Sequence, residues 1–120
     1  MKRLIAILIA SSMLAGCSDS DYRNITADKA KNMVEEGQVE VIDVRTPAEF
    51  KEGHIPGAES IPLKELGEKL TSLDRKGNYL IVCKGGGRSA DASTLLNDEN
   101  FKNIYNMTGG MDDWNGEIEK

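Results

Sequence analysis

The sequence has little positive charge and no long apolar run. It carries 15 Lys plus Arg against 20 Asp plus Glu in 120 residues, a net charge of −5. Nucleic-acid binding requires a basic face, so this class of function is excluded as an expectation. The longest apolar stretch, Leu4 to Leu14, is shorter than the roughly 20 residues that span a bilayer. Repeats and low-complexity tracts are also absent, and the length fits one domain.

The amino terminus has the layout of a secretory signal peptide. Met1 to Arg3 is basic, Leu4 to Leu14 is largely apolar, and Leu14-Ala15-Gly16-Cys17 ends the segment. These last four residues resemble the lipobox of bacterial lipoproteins, which implies a signal peptide over 1–16 and a lipid on Cys17. The lipid would anchor the protein to a membrane of the cell envelope, facing the periplasm or the exterior, through a tether over 17–23. A hydrophobic helix retained in the fold and a plain secreted protein are the alternatives.

Removal of the signal would leave 13 cations against 20 carboxylates, a balance of −7. If Cys17 is lipidated, Cys83 is the only remaining thiol. An unpaired cysteine in an exported protein indicates a reactive thiol or an intermolecular disulfide, although free cysteine is also a common core residue. One cysteine and one histidine cannot build a closed zinc site, so no metal is expected. A redox sensor would need an outside partner, because no second thiol can resolve an oxidised Cys83.

Helical and strand-type patterns alternate along the rest of the chain. Such alternation predicts an α/β domain over 24–118, with a small open parallel β-sheet flanked by helices on both faces. The predicted helices are 27–36, a brief one that begins after Thr46 and stops at Gly53, 63–73, 88–97 and 112–114. The predicted strands are 39–44, 79–82 and 104–107, with a short extended piece over 59–62.

Two predicted strands end in residues of chemical interest, and sites in open parallel sheets form beyond the carboxyl ends of strands. One strand ends in Asp43-Val44-Arg45, and the other in Cys83-Lys84-Gly85-Gly86-Gly87-Arg88-Ser89. Consecutive backbone N–H groups in such a glycine turn favour an anion, as does the start of the following helix. Lys84 and Arg88 act in the same direction, so we expect a lowered pKa for Cys83. A flexible glycine hinge beside a buried cysteine is the alternative.

This loop resembles the active-site loop of rhodanese domains, through Cys83, Gly86 and Arg88. Three further stretches resemble the family in order and spacing, and the likeness covers about 24–118. They are Asp43-Val44-Arg45 with Pro47-Ala48-Glu49-Phe50, Gly53-His54-Ile55-Pro56-Gly57-Ala58, and Gly109-Gly110 with Trp114. Gly85 and Gly87 depart from the family, in which larger residues are common.

The resemblance implies a sulfurtransferase that works by a ping-pong mechanism without a cofactor. The Cys83 thiolate would take the outer sulfur of an anionic donor such as thiosulfate and pass it to a thiol or a cyanide-like acceptor. Loop amides from Lys84 through Gly85, Gly86 and Gly87 to Arg88 would hold the persulfide, while the two cations attract the donor. We expect the protein to be a monomer.

Asp43, Arg45 and His54 are interpreted as support for the site, because sulfur transfer from a stable thiolate needs no general base. Trp114 is expected to be a core or lid residue. A phosphatase or arsenate reductase is disfavoured, since four residues separate Cys83 from Arg88 where those loops have five. A non-enzymatic binding or sulfur-carrier module of the envelope stays open.

Overall fold

The computed structural model describes residues 22–120. The signal peptide and the Cys17 lipidation site that the sequence predicts lie outside these residues. The strands are β1 (Arg23–Ile25), β2 (Glu40–Asp43), β3 (Glu59–Ser60), β4 (Asn78–Val82) and β5 (Asn103–Met107). The helices are α1 (Ala27–Glu35), α2 (Pro47–Glu52), α3 (Leu63–Leu66), a 3-10 helix (Gly67–Ser72), α4 (Gly87–Asp98) and α5 (Gly110–Asp113). No helix within this described part is long and apolar enough to cross a bilayer.

The five strands form one parallel sheet in the order β1-β5-β4-β2-β3. Strands β2 and β4 are neighbours, and Asp43 lies opposite Val82 at their carboxyl ends. The backbone N–H of Val44 continues the pairing, because it donates to the carbonyl of Val82 at 2.9 Å. The two segments singled out in the sequence therefore leave the sheet at the same edge, side by side.

The side chains of β4 alternate between two cores, as the period of a strand requires. Tyr79, Ile81 and Cys83 lie in the core on one face, together with residues of α3 and α4. Leu80 and Val82 lie in the core on the other face, against α1 and α5. The predicted α/β architecture, an open parallel sheet with helices on both faces, is thus confirmed.

The predicted helix over 63–73 is wrong in its regularity. The α-helix ends at Leu66, and Gly67 begins a 3-10 helix. Glycine weakens a helix interior, and 3-10 geometry is common where an α-helix ends. The core packing predicted for the leucines still holds, because Leu66 is fully buried and Leu70 packs partly buried against the same core.

Strand β1 is missing from the sequence prediction, which placed Arg23 in the tether. Its three residues pair with β5, from Arg23 opposite Tyr105 to Ile25 opposite Met107. The strand is short and lies at the sheet edge, so it shows no apolar alternation for the sequence to reveal. At the other end of the domain, Glu119 pairs its backbone with His54, beyond the predicted limit of 118.

Candidate active site around Cys83

Cys83 follows the last residue of β4, and its side chain is 1% exposed. The backbone N–H of Gly86 donates to the Cys83 sulfur at 3.0 Å. The thiol donates to the Ser89 hydroxyl at 3.4 Å, and this hydroxyl donates to the carbonyl of Gly86 at 3.1 Å. Gly86 has φ +108° and is the residue before α4, so the chain turns back over the sulfur in a conformation that suits glycine. The cysteine is buried beneath the glycine loop.

The pKa of Cys83 is lowered, as the sequence predicts. Burial raises the pKa of this thiol, but hydrogen bonds from Ser89, through its hydroxyl and its backbone N–H, and from the backbone of Gly86 and Gly85 outweigh the burial. These donors stabilise the thiolate, which is the nucleophilic form of cysteine. Ser89 is a contributor that the sequence analysis quoted within the loop but did not assign a role.

The carbonyl side of the loop is held by α5. Met111 donates its backbone N–H to the Cys83 carbonyl at 2.8 Å, and Asp112 donates its own to the Lys84 carbonyl at 2.9 Å. A side chain at Gly110, which has φ +59°, would collide with the same two carbonyls. Because these carbonyls point to α5, the loop presents N–H groups to the sulfur. The sequence gave Gly110 to a family motif, and the structure shows its task.

Both cations of the loop are ion-paired. Lys84 and Asp112 meet at 2.7 Å, with both side chains exposed. Arg88 donates to the two carboxylate oxygens of Glu49 at 2.8 and 3.0 Å. The Arg88 guanidinium, followed by the backbone of Thr46, lowers the pKa of Glu49 to about 2. The partner carboxylates are residues that sequence analysis did not place at the site.

Glu49 also completes the capping box of α2. Thr46 receives a hydrogen bond from the backbone of Glu49 at 3.2 Å and donates its own N–H to the Glu49 carboxylate at 3.0 Å. The capping-box spacing and Pro47 at the first helical position are confirmed. One carboxylate therefore ties the start of α2 to the Cys83 loop. The spacing predicted the cap, but the pairing with Arg88 depends on the tertiary fold.

Asp43, Arg45 and His54 form a framework beside the loop. The Arg45 guanidinium donates to both oxygens of the buried Asp43, at 2.9 and 2.7 Å, and to the carbonyl of Gly53 at 2.8 Å. His54 donates from Nδ1 to the Phe50 carbonyl at 2.8 Å and stacks on the Phe50 ring at 3.7 Å. The pairing expected for these residues is thus observed.

Trp114 packs partly buried against the core on the α1 side of the sheet, and its indole N–H donates to the Glu117 carbonyl at 3.0 Å. These contacts agree with a core role for this side chain.

The two departures from the family pattern leave room for larger side chains. A Cβ atom at Gly87 would meet nothing within 4 Å, and one at Gly85 would meet only the Asp112 carboxylate, at 3.8 Å. Neither glycine has a positive φ. Gly86 differs, because a Cβ there would approach the backbone nitrogen of Gly109 to 3.1 Å. Of the three loop glycines, the conformation demands only Gly86.

Comparison with known proteins gives a consistent result. The model of the rhodanese-like domain matches residues 26–117. Thiosulfate sulfurtransferase GlpE of Pseudomonas entomophila is 30% identical over 79% of this chain and 86% of its own. A rhodanese-like domain protein from Staphylococcus aureus has a crystal structure that superposes with a TM-score of 0.73, at 38% identity over 81% of this chain and 96% of that one.

A longer relative carries a different name. "Putative sulfur carrier protein YrkF" of Bacillus subtilis is 32% identical over 83% of this chain, and the match spans 55% of that protein. Relatives of this chain are thus named both as sulfurtransferases and as sulfur carriers. The match to the family model over most of the described residues, together with the shared fold, shows that this chain belongs to the rhodanese-like domain family.

Proposed function

We propose that this protein is a sulfurtransferase that carries sulfane sulfur as a persulfide on Cys83. The observation that supports this most directly is the Cys83 sulfur beneath the N–H of Gly86, with a lowered pKa. A thiolate held by peptide dipoles and a serine hydroxyl is a nucleophile that needs no neighbouring base. The same donors suit the negatively charged terminal sulfur of a persulfide.

With thiosulfate as donor, the Cys83 thiolate attacks the outer sulfur. The new bond joins the two sulfur atoms, and the sulfur–sulfur bond of the donor breaks with its electron pair leaving on sulfite. In the second half-reaction, an acceptor thiolate attacks the terminal sulfur of the persulfide and the Cys83 thiolate leaves. No electron is lost or gained overall, so the cycle needs no redox partner.

The experiment is intact-mass analysis of the purified protein after exposure to thiosulfate. We expect one added sulfur atom, which disappears when a thiol acceptor or cyanide is added. Cys83→Ser should abolish uptake while circular dichroism and the urea midpoint stay those of the parent. Sulfur uptake by a folded Cys83→Ser protein would refute the proposal.

A sulfur-carrier role is the second candidate, and two observations favour it. The relative YrkF is named as a carrier, and the Cys83 side chain is only 1% exposed. A carrier would accept sulfur once and deliver it to a specific protein, so turnover with small acceptors would be slow. Multiple-turnover rates with thiol acceptors separate a catalyst from a carrier that takes sulfur but releases it only stoichiometrically.

A further inference from the structure

The cations around the Cys83 loop are all matched by carboxylates of the same chain. The three pairs are Arg45 with Asp43, Lys84 with Asp112, and Arg88 with Glu49, at 2.7, 2.7 and 2.8 Å. The formal charge of these six side chains sums to zero, and the whole chain is at −5. A small dianion is therefore met by local amide dipoles without a long-range positive field to draw it in. This environment suits a donor that approaches with less charge on its sulfur.

An apolar cleft of about 390 Å³ adjoins the same loop. Val44, Pro47, Pro62 and Leu63 supply most of its wall, and Arg88 belongs both to the cleft and to the loop. Its volume lies in the range of ligand pockets, about 300–1,000 Å³. A dianion such as thiosulfate has no apolar part to place there.

The cleft is close to the sulfur and its walls are stiff. Val44 donates its N–H to the carbonyl of Val82, the residue before Cys83, and its side chain belongs to the same core as Cys83. Pro47 is fixed by the capping box of α2, and Leu63 donates its N–H to the Val44 carbonyl at 3.0 Å. A preformed wall lowers the ordering cost of binding.

Lys64 supplies the cleft with a cation that differs from those of the loop. It is exposed, and within residues 22–120 it makes no ion pair. It follows Leu63 directly, so its ammonium group lies at the apolar wall. A carboxylate on a ligand whose apolar part fills the cleft would find this group unmatched.

We propose that the cleft binds the organic part of an alkyl persulfide donor, R–S–SH, whose far end carries a carboxylate that pairs with Lys64. This rests on the proposed sulfur transfer and names its donor class. The Cys83 thiolate attacks the outer sulfur, a bond forms between the two sulfur atoms, and the S–S bond of the donor breaks. The thiolate RS⁻ leaves with the electron pair and takes its proton from water.

The test compares single-turnover sulfur uptake on Cys83 from two freshly prepared persulfides that differ in chain length. Mercaptohexanoate persulfide reaches the cleft, whereas mercaptoacetate persulfide is too short to fill it. We expect the longer donor to react on the order of tenfold faster, the scale of discrimination that a few methylene groups give in an apolar pocket. Equal rates for the two persulfides would overturn the proposal.

Leu63→Ala should reduce this chain-length preference, because it removes an apolar wall. Leu70→Ala is the matched control: both leucines are partly buried against the same core, but only Leu63 lines the cleft. Leu70→Ala should keep the preference. An unchanged preference in Leu63→Ala would count against the cleft as the binding site.

Lys64→Gln changes an exposed side chain and therefore keeps the test independent of core packing. It should slow uptake from mercaptohexanoate persulfide severalfold and leave uptake from uncharged hexanethiol persulfide unchanged. Equal effects on both donors would remove the carboxylate from the proposal.

Glu49→Gln tests the charge argument directly. Glutamine keeps the capping box, and the exchange leaves Arg88 without its counter-ion. We expect faster uptake from thiosulfate with a steeper salt dependence, and little change with hexanethiol persulfide. Glu99→Gln, in the exposed pair with Arg75, is the control. Uptake from no donor at all would instead refute the proposed sulfur transfer, so the two failures are distinct.

Discussion

The ends of β2 and β4 lie side by side, and they hold charge in different ways. The end of β2 uses two permanently charged side chains, Asp43 and Arg45, joined by hydrogen bonds and nearly inaccessible to water. The end of β4 uses the backbone N–H of Gly86 and the hydroxyl of Ser89 around a sulfur that gains and loses a proton. One site balances fixed charges, and the other stabilises a charge that comes and goes.

This difference separates architecture from chemistry. A buried ion pair has a single arrangement, and it costs stability whenever one partner is absent. Peptide dipoles and a hydroxyl stabilise an anion but leave a neutral thiol tolerable, so the sulfur can change state without disrupting the fold. Changes at the β2 end should therefore alter stability, and changes at the β4 end should alter reactivity.

The largest expected effect is the loss of Asp43. Asp43→Ala leaves the Arg45 guanidinium buried without its carboxylate, which should reduce the free energy of unfolding by about 3–5 kcal/mol. Urea denaturation measures it. Glu99→Ala removes a carboxylate from an exposed pair at 3.9 Å and should change stability by less than about 1 kcal/mol. Similar losses in both variants would break the contrast between a buried framework and surface charge.

Gly110 links the two behaviours, because it touches the loop carbonyls. Gly110→Ala combines a positive φ with a collision against the Lys84 backbone, and we expect a loss of about 2–4 kcal/mol. Gly57→Ala has a similar φ of +83° but open space around it, so only the backbone cost of about 1 kcal/mol applies.

The two glycine variants also differ in reactivity. Gly110→Ala should shift the loop amides and slow sulfur uptake per folded molecule, whereas Gly57→Ala should not. Thermal unfolding and mass-detected uptake are the two measurements. If both variants lose equal stability and equal activity, α5 does not position the loop.

Ser89→Ala should change reactivity more than stability. Removal of the hydroxyl raises the pKa of Cys83, since the remaining donors oppose burial alone. At pH values below this pKa the thiolate fraction falls, and alkylation of Cys83 by iodoacetamide should slow on the order of tenfold. The matched control is Ser93→Ala, which removes an equally buried hydroxyl of α4 that has no hydrogen-bond partner among the described residues.

The sign of the pH effect on stability follows from the same shift. The folded pKa of Cys83 lies below the model value of 9.0, so ionisation stabilises the fold. This contribution is complete above the unfolded pKa and disappears as the pH falls through the folded value. Ser89→Ala should make the slope of stability against pH shallower in this window, while Ser93→Ala should retain it.

Local patterns predicted much of the fold and the centre of the site. The Thr46 capping box, the left-handed Gly37 after α1, and the apolar runs of β2 and β4 are all set by neighbours in sequence. The edge shared by Asp43 and Cys83 followed from parallel pairing alone. These features need no knowledge of distant contacts.

The remaining features depend on distant contacts. Asp112 lies 28 residues from Lys84, and Glu49 lies 39 residues from Arg88, so no spacing rule indicates either pair. The sequence therefore predicted two cations acting on the thiol, but not that carboxylates neutralise them. Strand β1 was missed for the same reason, because its pairing with β5 spans about 80 residues.

Gly87→Ala should have the smallest effect and the opposite sign. Gly87 begins α4, its φ is not positive, and a methyl group there would meet nothing within 4 Å. Alanine restricts the unfolded chain more than glycine does, so the fold should gain about 0.4–1 kcal/mol. Differential scanning calorimetry against the parent measures the gain.

Gly86→Ala is the comparison for that variant, since φ +108° and the approach to the Gly109 nitrogen make it destabilising. Sulfur uptake on Cys83 should persist in Gly87→Ala, because the N–H of residue 87 remains in place. A gain in stability with lost uptake would mean that the loop needs flexibility at Gly87. In that case the β4 end would depend on motion as well as on fixed dipoles, and its contrast with the rigid β2 end would become sharper.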